Sequence, residues 1–98
     1  MLSWENLGST NSVSGKTLAF TPSDYKEFLL IVSNNGSRVL ASSLIPYPLV
    51  GIGSSASGGY HQGIYSSSQI FSVGVTFTST GAVLFATDTT SYAVLLGR

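Results

Sequence analysis

Cysteine is absent from these 98 residues, which excludes a disulfide framework, a thiolate nucleophile and any Cys-based zinc site. A single histidine, His61, likewise excludes the usual multi-histidine metal centre, and no cofactor is expected. Charge is also scarce. Four Lys+Arg balance four Asp+Glu, and 8% of residues are charged, against about 25% in ordinary soluble domains. With no basic excess there is no electrostatic footprint for nucleic acid or for an anionic membrane surface. Long apolar runs are missing too: none, Phe28 to Val32 included, exceeds five residues, whereas a bilayer span needs about 20. Neither membrane insertion nor a signal peptide is expected.

What is present is apolar and hydroxylic. Hydrophobic residues make up 43% of the chain, too many for a disordered segment. The 18 serines and 9 threonines supply most of its polarity as neutral hydrogen-bonding groups. A chain of this length holds one core, because neither half could bury enough surface alone, so residues 1–98 are read as a single domain.

Period-two alternation dominates the pattern. Phe71, Val73, Val75 and Phe77 alternate with Ser72, Gly74 and Thr76, the signature of a strand with one wet face. Shorter runs of the same kind are Thr17 to Thr21, Arg38 to Ile45, Ala82 to Thr87 and Ser91 to Leu96, with Tyr60 to Tyr65 weaker, and Phe28 to Ser33 is a further strand. Asn34-Asn35-Gly36, Ser79-Thr80-Gly81 and Asp88-Thr89-Thr90 carry turn chemistry and predict three hairpins. Thr21-Pro22-Ser23-Asp24 reads as a helix start, with Thr21 as cap, and predicts one helical turn near residues 22–26 before the next strand. Pro46, Pro48 and the glycine-serine stretch to Gly59 predict a long loop. The whole is an all-β pattern: an antiparallel β-sandwich of about eight short strands, jelly-roll-like.

Few residues carry catalytic promise. Gly51-Ile52-Gly53-Ser54-Ser55-Ala56 imitates a dinucleotide fingerprint, but Ser57-Gly58-Gly59 breaks the helix that would have to follow. Serines, His61, Asp24 and Asp88 are present without a nucleophile elbow or oxyanion-hole signature, so no enzyme is expected. Asn35-Gly36-Ser37 matches a glycosylation acceptor and equally a hairpin turn, which is the simpler reading. Tyr47, Tyr60, His61 and Tyr65 flank the glycine loop and form a candidate ligand-binding set, able to stack on a sugar ring or to pack in the core.

Phe28 to Val32 is apolar on both faces of a strand, and Tyr92 to Leu96 repeats the property. A sandwich this small has one interior, so a second apolar face is expected to meet another subunit. Leu29, Ile31, Ala93 and Leu95 are the candidate interface residues.

Trp4…Leu7-Gly8, Leu18…Pro22-Ser23-Asp24-Tyr25-Lys26-Glu27-Phe28-Leu29, the Asn-Gly turn, Ile45-Pro46 and the closing Thr89-Thr90…Tyr92…Leu95-Leu96 follow one another in an order that resembles the C-terminal domains of bacteriophage tail-fibre and tail-tip proteins. The resemblance implies a non-enzymatic virion domain, a homotrimer that attaches to a host cell-surface glycan or joins another virion protein. The alternative is a monomeric carbohydrate-binding sandwich built on Tyr47, Tyr60 and Tyr65.

Overall fold

The computed structural model describes residues 3–34, 39–47, 59–66, 69–87 and 91–98. Among them run β1 (Glu5–Thr10), β2 (Lys16–Ala19), β3 (Glu27–Asn34), β4 (Val39–Pro46), β5 (Gly59–Ser66), β6 (Gln69–Thr78), β7 (Gly81–Ala86) and β8 (Ser91–Gly97). The front sheet has the order β1-β8-β3-β4 and the back sheet β2-β7-β6-β5, with every pairing antiparallel. This is the expected β-sandwich of eight strands.

The alternation read from sequence sets the interior. Phe71, Val73, Val75 and Phe77 of β6 are buried, together with Leu18, Ala82, Leu84 and Ala86 from the same sheet. Phe28, Leu30, Val32, Ile45, Ala93 and Leu95 face them from the front sheet. Phe28 and Phe77 bridge the sheets with ring centroids 4.8 Å apart, and Phe20 and Tyr25 close on Phe28 at 5.7 and 5.6 Å. The molecule measures 38 × 34 × 19 Å, two sheets thick.

Local chemistry explains the joints. Pro22–Asp24 forms the expected helical turn, as a 3-10 turn closed by the Asp24 and Tyr25 N–H groups donating to the Thr21 and Pro22 carbonyls at 3.0 and 3.1 Å. Thr21 occupies the cap position, but its side chain makes no cap hydrogen bond. The β6–β7 turn uses Gly81 at φ +149°, where a Cβ would strike the Leu18 carbonyl oxygen on the neighbouring strand. Pro46 ends β4 on a sheet edge, where the missing N–H is tolerated.

One expected feature is corrected and one was not foreseen. β7 and β8 are not a hairpin, because β8 leaves the back sheet and pairs between β1 and β3. The crossing is held at Ser91, fully buried, whose hydroxyl accepts the Ser72 N–H at 2.9 Å. β5 and β6, not marked as a pair in the sequence, form an unbroken antiparallel ladder from Gly59↔Thr76 to Ser66↔Gln69. The turn residues Asn35-Gly36-Ser37 and Asp88-Thr89-Thr90 and the loop from Pro48 to Gly58 lie outside the described residues.

Candidate functional site

Antiparallel partners share a face, so the register identifies what each sheet presents outward. On the front sheet Leu29 is opposite both Leu96 and Leu44, and Ile31 is opposite both Val94 and Ser42. Two rows follow, Leu96-Leu29-Leu44 and Val94-Ile31-Ser42, crossing β8, β3 and β4. Leu29, Ile31, Val94 and Leu96 are half-buried, and Leu44 is 56% exposed. Tyr92 extends the surface along β8, with its hydroxyl 3.1 Å from that of Ser9 on β1.

The end of this face nearest Arg98 is charged but neutralised. Arg98 Nε donates to Glu27 Oε2 at 2.5 Å, and the guanidinium carbon lies 4.2 Å from the centre of the Trp4 ring. The Tyr25 hydroxyl donates to Glu5 Oε2 at 2.9 Å. Burial raises the pKa of that phenol above its ordinary 10.0, and the Glu5 hydrogen bond and charge, with Asp24, push the same way.

Leu29 and Ile31 therefore stand where expected, on a second apolar face. Ala93 and Leu95 do not: both are fully buried. Ala93 is opposite Val32 and Leu95 opposite Leu30, which places them in the core. Val94, Leu96 and Leu44 take their place on the outer surface. Sequence reasoning reached the two-sided character of β8 and missed its phase. The available signal was volume, since Ser91, Ala93 and Gly97 make the inner parity the smaller one.

The outer face of the back sheet differs. Thr17, Val83 and Thr76 form one row, and Phe85 is opposite Gly74 in the next. Beyond them Thr87 Oγ1 donates to the Ser72 carbonyl at 2.9 Å, and the Ser72 and Thr87 hydroxyls bond to each other. Hydroxyls and glycine alternate here with single apolar side chains.

Of the aromatic set, Tyr47 is half-buried and packs against the core, its N–H donating to the Lys26 carbonyl at 3.0 Å. Tyr60, His61 and Tyr65 occupy β5 opposite Val75, Gly74 and Ile70. Their side chains lie outside the described residues. Among the described residues no three of His, Cys, Asp and Glu come together as metal ligands. Comparison with known protein families, curated proteins and solved structures found no match.

Proposed function

We propose that this chain is a non-enzymatic structural domain of the phage tail-fibre kind, which works as a homo-oligomer in virion assembly or host attachment. The observation that carries the reading is the outer face of the front sheet. Leu96, Leu29, Leu44, Val94 and Ile31 form adjoining apolar rows whose bordering charges, Glu27 and Arg98, neutralise each other. Contiguous apolar surface of this kind marks a contact site. A surface without net charge also meets its own copy with no like-charge penalty.

Light scattering tests this directly. The expected solution mass at high micromolar concentration is a multiple of 10.2 kDa. Ile31→Lys returns the chain to a monomer with an unchanged circular dichroism spectrum, whereas Thr76→Lys on the opposite face leaves the oligomer intact. A wild-type monomer overturns the proposal.

The carbohydrate-binding reading keeps Tyr47, Tyr60 and Tyr65 as its stacking platform. It expects Tyr60→Ala to abolish retention on immobilised bacterial surface polysaccharide while thermal unfolding stays nearly unchanged.

A further inference from the structure

Charge is scarce in this chain, and it is not spread evenly. Of the eight charged residues, Glu5, Asp24, Lys26, Glu27 and Arg98 fall at one end of the front sheet, around the sole tryptophan, Trp4. There the pairing of β8 with β3 runs one step past Phe28↔Gly97. The Lys26 and Glu27 N–H groups donate to the Arg98 carbonyl at 2.8 and 3.2 Å, and the Arg98 N–H donates to the Glu27 carbonyl at 3.1 Å. Glu27 is two residues from Leu29 and Arg98 two from Leu96, so both side chains belong to the outer face, next to the Leu96-Leu29 step.

The Arg98 guanidinium is fixed from two sides. Its Nε donates to Glu27 Oε2, and its carbon lies over the Trp4 ring, 4.2 Å from the centre. Among the described residues neither Arg98 nor Glu27 makes another side-chain hydrogen bond. Both terminal NH2 groups of Arg98 and Oε1 of Glu27 are therefore open to an outside partner, on side chains 36% and 25% exposed.

We infer that the corner formed by Trp4, Arg98 and Glu27 binds a neutral sugar through two neighbouring hydroxyls. For its ligand class this rests on the carbohydrate-binding reading, but its residues are not those of the tyrosine set. A fixed guanidinium beside a carboxylate oxygen offers donors and an acceptor side by side. A hydroxyl can accept from Arg98 while its neighbour donates to Glu27, and hydrogen bonds to charged groups are the stronger kind. The Leu96-Leu29 step lies two residues away, about 6.6 Å along the strands, the breadth of one pyranose ring with its hydroxyls. A sugar ring has polar edges and apolar C–H faces, and the corner matches both. An anion fits worse, because three acids stand against two bases at this end.

The test is a titration followed by NMR through the Trp4 indole N–H, the only one in the chain, and the Arg98 Nε–H. The probes are the methyl glycosides of glucose, galactose and mannose, with glucuronate as the anionic comparison. At least one neutral glycoside is expected to shift both signals together to saturation, and glucuronate to bind more weakly than that glycoside. Arg98→Lys keeps the charge but loses the planar fork, and should bind that glycoside about tenfold more weakly while its amide spectrum stays folded. Ile31→Lys, outside the corner, should keep the affinity. No saturable shift with any of the three, tighter binding of glucuronate, unchanged affinity in Arg98→Lys, or lost affinity in Ile31→Lys each overturns the site. If Tyr60→Ala abolishes binding and Arg98→Lys does not, this site falls and the tyrosine platform stands. The reverse result removes the platform and keeps the corner.

Discussion

The outer faces of the two sheets rest on the same kind of backbone and bury their inner side chains in the same core, yet they differ in how their apolar side chains are grouped. The front face carries Leu29, Ile31, Val94, Leu96 and Leu44. The back face carries Thr17, Thr76, Ser72 and Thr87, with Val83, Phe85 and the 61% exposed Ile70 interspersed. Strand formation alone does not demand a continuous apolar outer face, because the back sheet forms its ladder with apolar and hydroxyl side chains mixed. The front face groups more apolar side chains than the back, and the proposed association would use it.

The largest effect that sharpens this contrast comes from two adjacent residues on opposite sides of β8. Leu95→Ala empties a fully buried core position and should cost about 2–5 kcal/mol in urea unfolding. Leu96→Ala trims the outer face and should cost less than about 1.5 kcal/mol at low concentration, since the side chain is already half in water. If both cost the same, the outer face is covered within the single chain and the contrast fails.

A smaller effect distinguishes the faces by what holds them. On the back face Thr87→Val removes the hydroxyl that donates to the Ser72 carbonyl, which should lower stability by about 1 kcal/mol. The solution mass should not change. A change in mass would assign the back face to assembly as well.

The smallest expected effect lies at the charged end of the front sheet. Tyr25 has a raised pKa in the folded chain, principally through burial, so folding favours the protonated phenol. Its contribution is fully present below the ordinary value of 10.0 and is lost as pH rises through the raised folded value. Unfolding followed across this alkaline range should show stability declining in wild type and a flatter profile in Tyr25→Phe. A wild-type profile no steeper than that of Tyr25→Phe would remove the Tyr25–Glu5 contact from the picture.

Much of the sandwich was legible in the sequence, unevenly along the chain. β6 was plain because Phe71, Val73, Val75 and Phe77 alternate with small or polar residues, so one face alone could be buried. β1 was not, because Glu5 to Thr10 has no alternation, and the bulge between Asn6 and Gly8 shifts what alternation there is. The β7–β8 connection looked like a hairpin because turn-forming residues report that a chain changes direction, and they do so equally when it changes sheet. Leu29 and Ile31 lie on the outer face as expected, whereas Ala93 and Leu95, read onto that face, lie in the core and Val94, Leu96 and Leu44 face outward instead.

By itself the sequence determined the class of fold, since alternation broken by Gly, Asn and Ser can bury its apolar residues only by stacking sheets, and eight charges leave that surface neutral. Tertiary structure alone decided which side of β8 is the inside. A strand apolar on both faces satisfies the period-two rule in either phase, so the choice passes to volume. At Gly97 a Cβ would lie 2.8 Å from the Tyr25 ring and 3.0 Å from Leu7. That crowding turns the smaller parity inward and leaves Tyr92, Val94 and Leu96 on the surface.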